Sequence, residues 1–212
     1  MSDLSPPKRA TYRHGDLHHA LIVAGTELAR VGGPDAVVLR EATRRVGVAP
    51  NAAYRHFADR RALLDAVCSA AQSLLAVAIE QELASVKGAG DRAAVARARL
   101  RAVGTGYVRF AQTEPGLFRT AFSVSRDLER IGDPARAGAS GLSPFLLLAS
   151  VLDELVDAGA LPRERRPAAE FLAWSSVHGV AMLLIDGPLR ALDKQKAHAI
   201  VERLLDMVEQ GL

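Results

Sequence analysis

From Asp16 onward, apolar residues return at every third or fourth position. Leu17, Leu21, Ala24, Leu28 and Val31 line one face of a first helix, which the Gly32-Gly33-Pro34 run stops. The pattern predicts a short second helix from Leu39 to Val46, ended by Gly47, and a third from Pro50 to Phe57, whose proline occupies a first-turn position where the missing N–H costs nothing. Asp59 offers an N-cap to a long fourth helix through RRALLDAVCSAAQSLLAVAIEQEL. Beyond the Gly88 to Gly90 break, Val103, Tyr107, Phe110 and Phe118 keep the helical period, interrupted at Pro115-Gly116. Residues 123–143, with Gly132, Pro134, Gly138 and Gly141 among scattered charges, read as a mobile connection. Helices follow at 144–158, closed by Gly159 with Pro162 beyond it, then at 167–186 and 193–210. No stretch alternates apolar and polar as a strand would. The expected fold is all-α: a flexible basic arm over 1–12 with Pro6, Pro7, Lys8 and Arg9, a three-helix head over 13–60, and a larger helical domain over 61–212.

The helix at 167–186 departs from simple amphipathicity. Phe171, Leu172, Trp174, Val177, Val180, Ala181, Leu183, Leu184 and Ile185 cover nearly its whole circumference, and a helix apolar all round must be buried all round. The last helix adds Ile200, Leu204, Met207 and Val208 as a further stripe. Together these predict a two-fold homodimer whose interface draws on Val177, Ala181, Leu183, Leu184, Ile200, Leu204, Met207 and Val208. The alternative is a fully internal helix in a monomer.

Charge changes the picture at one end only. The chain has 212 residues and a net charge of +3, yet residues 1–61 hold ten Lys/Arg against six Asp/Glu, and the remainder seventeen against eighteen. A positive front suits a polyanion, although a solvated basic face would read the same. A single cysteine, Cys68, excludes an intramolecular disulfide framework. The start of the chain lacks the charged and apolar regions of a signal peptide, and the densest apolar runs, FLLLASVL and VAMLLI, are too short to span a bilayer. A cytoplasmic protein without a membrane partner is expected.

The stretch VGVAPNAAYRHF, residues 46–57, concentrates ring and polar chemistry just after a tight turn. Two short helices around a Gly-containing turn form a helix-turn-helix, which lays its second helix in the major groove of DNA. Leu39, Ala42, Val46, Val48, Ala53 and Phe57 would then point inward, leaving Asn51, Ala52, Tyr54, Arg55 and His56 outward. An Asn amide matches the adenine edge and a small Ala the thymine methyl, while Tyr, Arg and His reach phosphates. Arg40, Arg44, Arg45, Arg60 and Arg61 supply further phosphate charge.

LREATRRVGVAPNAAYRHFADRRALLDAV closely resembles the helix-turn-helix of TetR-type transcriptional regulators, with Gly47, Val48, Tyr54, His56 and Phe57 in register. YRHGDLHHALIVAG is similar to the first helix of a subgroup, YVRFAQTEPGLFRTAF to its mid-domain segment, and WSSVHGVAMLL to its Trp-x-x-x-His-Gly signature. Departures are Ala42 for Ile or Val, Thr43 for Ala, Val38 for a capping Ser or Thr, and Arg60-Arg61 for Lys. The Thr43 hydroxyl is expected to bond back to the Leu39 carbonyl and to alter the helix packing slightly. The resemblance implies a homodimeric repressor that reads an inverted-repeat operator in double-stranded DNA and is released by an unidentified small-molecule effector. It implies no enzymatic activity and no cofactor.

Other constellations are weaker. His14, Asp16, His18 and His19 invite a metal, but adjacent histidines on a helix point apart and no metal site is expected. Ser176 and His178 lie about 200° apart round one helix and cannot act as nucleophile and base, so His178 reads as a core or interface histidine. Cys68, in an Ala-rich helix without an adjacent base, reads as a buried thiol. The effector pocket is expected among Tyr107, Phe110, Phe118, Phe122, Trp174, His178 and Met182, because pockets are mostly apolar with a few convergent polar groups. Two other readings stay open: an activator with the same head, and a small-molecule-binding or catalytic helical dimer without DNA binding. The latter would bury Asn51, Tyr54 and His56.

Overall fold

The computed structural model describes residues 14–88, 90–124 and 130–212, so the arm at 1–12 lies outside the described residues, as do the side chains of His14 and Asp16. Every regular element among them is helical. The α-helices are α1 (His14–Gly32), α2 (Leu39–Val46), α3 (Pro50–Ala53), α4 (Arg60–Ser85), α5 (Arg92–Thr113), α6 (Pro115–Ala121), α7 (Pro144–Asp157), α8 (Ala169–Ile185) and α9 (Lys194–Gly211), with short 3-10 turns at several of the joints.

Helix α4 organises the molecule. Its Asp59 N-cap accepts from the Ala62 N–H at 2.8 Å, satisfying one of the first-turn donors. Near its start Leu63 and Val67 pack into the head; farther along Leu75, Ile79 and Leu83 enter the larger body. By length and composition α4 could cross a bilayer, but here α1, α5, α6 and α7 pack against it. A single hydrophobic core therefore runs from head to body along one continuous helix.

Three sequence expectations change. Val31 is 84% exposed, because α1 runs out past the head's core at its last turn. The α-helix at Pro50 ends at Ala53; Tyr54 to His56 continue as a turn, in which the Phe57 N–H still reaches the Ala53 carbonyl at 2.9 Å. The described part of the connection read as mobile, 130–143, is tied to α4 instead. Arg130 donates to Asp65 at 2.7 and 2.8 Å, the Ser73 hydroxyl to the Ala137 carbonyl at 2.6 Å, and the Glu80 carboxylate accepts the N–H groups of Ala139 and Ser140, each at 2.8 Å. Against partial burial, which works the other way, the Ser140 hydroxyl and these N–H groups hold the Glu80 carboxyl below its usual pKa. The glycines and Pro134 thus shape a strap that side chains of α4 hold down.

Head and body meet a second time where α6 begins. A Cβ at Gly116 would run into the carbonyl oxygens of Ala29 and Arg30, so only glycine allows α6 to abut the end of α1 this closely. The ion pair between Arg30 and Glu114 closes the same contact.

Candidate nucleic-acid interface and internal cavity

Gly47 makes the turn of the helix-turn-helix with φ 76°, a left-handed value, and the Val48 N–H then returns to the Thr43 carbonyl at 3.1 Å. Leu39, Ala42, Ala53 and Phe57 are buried, and Val46 and Val48 half-buried, with α2 and α3 packed on α1. Thr43, itself buried, donates to the Arg40 carbonyl at 2.8 Å, one residue short of the expected Leu39 acceptor. Its hydroxyl adopts the geometry that reaches three residues back. Val38 starts α2 with no side-chain cap.

The outward face carries Arg40, Arg44, Arg45, Asn51, Tyr54, Arg55 and Arg61, all exposed, with Ala52 half-buried beside them. Tyr54 leaves 57% of its surface open, an unusual placement for an aromatic ring. Arg44 chelates Glu41 at 2.6 and 2.9 Å, and Arg45 approaches the same carboxylate at 3.8 Å. Their two charges meet one acid, leaving the helix end net positive. Two candidates differ from the sequence expectation. Arg60 donates to the Val37 and Pro34 carbonyls at 2.8 and 2.7 Å, so it buttresses the 34–37 turn rather than reaching outward. His56 is half-buried, 6.0 Å from the ring of His18, which stacks on Phe57 at 4.8 Å. The alternative without DNA binding required Asn51, Tyr54 and His56 to be buried; the first two are open to solvent.

In the body, α4, α5, α7, α8, α9 and the 130–143 strap enclose a cavity of about 180 Å³. Of the expected pocket residues, Tyr107, Phe122 and Trp174 line it. Phe118 and His178 form the layer behind: the His178 ring stacks on Phe118 at 5.5 Å and meets Phe122 edge-on at 4.9 Å. Phe110 and Met182 do not line the cavity; Phe110 is buried in the core and Met182 is half-buried against it. The Tyr107 hydroxyl, deep in this layer, accepts from Trp174 Nε1 at 3.0 Å and lies 2.8 Å from His178 Nδ1. Trp174 and His178, four apart on α8, share one face, so both reach the same hydroxyl. Burial drives the Tyr107 phenol well above its usual pKa and pulls the His178 imidazole down, keeping both neutral.

Sequence reasoning missed the polar lining: Gln72 of α4, Arg101 of α5, Arg136 of the strap, Ser143, the N-cap of α7, and Glu209 of α9. Arg136 is 3% exposed, and burial, then the neighbouring Arg130, push its guanidinium below its usual pKa. It lies in the Gly/Pro-rich stretch taken for a loop, and no local pattern marks it as buried. At the other side Arg101 is ion-paired to Glu202, Asp206 and Glu209 of α9.

The dimer candidates divide. Leu183, Ile200 and Met207 are exposed on the single chain and Leu204 is half-buried, while Phe171 and Leu172 add 40% and 61% exposure to the same region. Val177, Ala181, Leu184 and Val208 belong to the chain's own core, since the inward side of α8 and α9 packs on α5. The all-round apolar character of α8 serves two surfaces, one of them internal.

Comparison with known proteins agrees with this architecture. The family model for bacterial regulatory proteins of the tetR family matches residues 21–67, and that for the tetracyclin repressor-like C-terminal domain matches residues 100–208. A Rhodococcus protein of unknown function is similar at TM-score 0.72 and 24% identity, covering 96% of this chain and 99% of its own. TetR-family regulators from Pectobacterium atrosepticum (TM-score 0.62, 18% identity, 96% of each chain) and Marinobacter aquaeolei (TM-score 0.56, 18% identity, 92% of this chain and 94% of its own) share the fold. No curated protein matches the chain. With the first model lying on the helix-turn-helix and the second on the body that holds the cavity, the chain belongs to the tetR family and is a DNA-binding transcriptional regulator.

Proposed function

We propose that the protein is a homodimeric repressor that leaves an inverted-repeat operator when a small, mainly apolar effector fills the cavity between α4, α5, α7, α8 and α9. The observation that carries this reading is the continuity of the cavity wall with α6. Phe122, which lines the cavity, directly follows α6, and the other end of α6 abuts α1 at Gly116. A ligand that displaces Phe122 loads the contact between body and head. Two recognition helices must sit about 34–36 Å apart, or a multiple of it, to reach successive major grooves, so a modest tilt of either head breaks simultaneous docking. Loss of two-headed binding turns that tilt into a large change of affinity.

In this reading the head spans 13–60 and the regulatory domain 61–212. Asn51 and Ala52 read base edges, and Arg40, Arg44, Arg45, Tyr54, Arg55 and Arg61 contact phosphates. The exposed apolar side of α8 and α9 pairs with a second copy. The protein works in the cytoplasm, without catalysis.

Selection of bound duplexes from a random DNA pool by the purified protein, at near-physiological salt, tests it. Enrichment of an inverted repeat is expected. Binding that shows no enriched sequence and vanishes as salt rises would overturn the operator reading. A reporter placed under the selected repeat separates repression from activation by its sign.

A further inference from the structure

We propose, on the footing that the cavity is the effector site, that its ligand is an uncharged compound built on a single aromatic ring with at most a short substituent. Volume sets the size. The cavity measures about 180 Å³, and a dry protein cavity of about 150 Å³ takes up one benzene molecule. The difference leaves room for a short side chain on that ring but not for a second ring. The lining is apolar over most of its surface, so a guest of this size gains chiefly by burying carbon.

The walls favour a ring. The chain has six Phe, three Tyr and one Trp, and four of these, Tyr107, Phe122, Phe145 and Trp174, line this one cavity. Phe145 meets Trp174 edge-on at 5.9 Å, and Phe122 lies tilted to Trp174 at 6.1 Å and to Tyr107 at 6.2 Å. None of these pairs is stacked, so ring faces remain open to a guest ring, whose offset or edge contacts add to the area it buries.

The polar lining excludes a charge of either sign, because its groups are already engaged. Arg101 is ion-paired to Glu202, Asp206 and Glu209, which matches the cation and the acid of that side to each other. Arg136 has interactions of its own, with Asp65 and Asp133 as charged neighbours. Gln72 donates to the Ala121 carbonyl at 2.7 Å, Ser143 caps α7, and the Tyr107 hydroxyl serves Trp174 and His178. An entering ion would displace one of these bonds or lie unpaired among apolar walls, and either costs more than a neutral guest of the same shape.

The chain's single tryptophan is Trp174, in the cavity wall, so its fluorescence reports occupancy, and a rise in the thermal unfolding midpoint checks it. Full-length protein is titrated with ethylbenzene, ethylcyclohexane and biphenyl, and with phenylacetate and benzylammonium as one-ring ions. Ethylbenzene is expected to bind at least about tenfold more tightly than either ion. With each affinity set against the compound's partition from water into alkane, ethylbenzene should also exceed ethylcyclohexane and biphenyl by at least about twofold. Leu148→Phe, which fills part of the cavity, should weaken ethylbenzene binding at least about tenfold, circular dichroism confirming that the variant is folded. Should it fail to fold, the ranking in the unaltered protein decides alone. An ion binding as tightly as ethylbenzene, or biphenyl or ethylcyclohexane leading on the partition scale, overturns the ligand class while leaving the cavity as effector site. Fluorescence and midpoint unmoved by all five compounds overturn the cavity reading itself.

Discussion

Tyr107 has one hydroxyl and two polar neighbours, and it satisfies both deep in an aromatic layer. Removing that oxygen in Tyr107→Phe leaves the Trp174 N–H and His178 Nδ1 without their partner, so a loss of about 1–3 kcal/mol is expected in urea denaturation. His178 sets a pH dependence. Burial lowers its folded pKa below the unfolded value of about 6.5, so the unfolded state takes up the proton first and stability declines as pH falls through that value. The decline should flatten in His178→Asn, measured as the midpoint of thermal unfolding against pH. On the head, Asn51→Ala is expected to change which base is preferred at one operator position. Arg55→Ala should instead weaken binding to all sequences and make its salt dependence shallower. Binding selections with each variant distinguish the two. The exposure of Asn51, Tyr54 and Arg55 was legible in advance because the turn at Gly47 fixes which side faces out. Arg60 was not legible: the carbonyls it holds, at Pro34 and Val37, are more than twenty positions away in the chain.

At the scale of elements, helix ends were the most readable feature, since Gly47, Asp59, Gly159 and the prolines at Pro50, Pro115 and Pro144 act locally. The strap at 130–143 was misread because its order comes from Glu80, Asp65 and Ser73, each distant in sequence, while its own composition is that of a loop. The junction of α6 with α1 was equally silent; Gly116 looked like a break, yet it is the point of closest approach. Gly116→Ala should push α6 away from the Ala29 and Arg30 carbonyls and lower stability by about 1–3 kcal/mol, the usual range for overpacking. Differential scanning calorimetry gives the value, and an unchanged transition would show that α6 is not pressed on α1.

For the molecule as a whole, the apolar face of α8 and α9 explains why α8 lacks a polar side. Leu172 and Met207 are 61% and 57% exposed on the single chain, so a charge at either position should leave the fold intact. Leu172→Glu or Met207→Glu is expected to shift sedimentation from dimer to monomer and to weaken operator binding, because each head then docks alone. The sequence pattern marked α8 and α9 as apolar but could not divide them, since Val177 and Leu183 look alike until packing on α5 separates inner from outer. Helix α4 has a mechanical consequence. At 26 residues it is about 39 Å of rigid rod, and a pivot of only about 3° at one end sweeps the other through about 2 Å. A disturbance in the body too small to unseat any side chain thereby becomes a misfit on the scale of a hydrogen bond at the DNA.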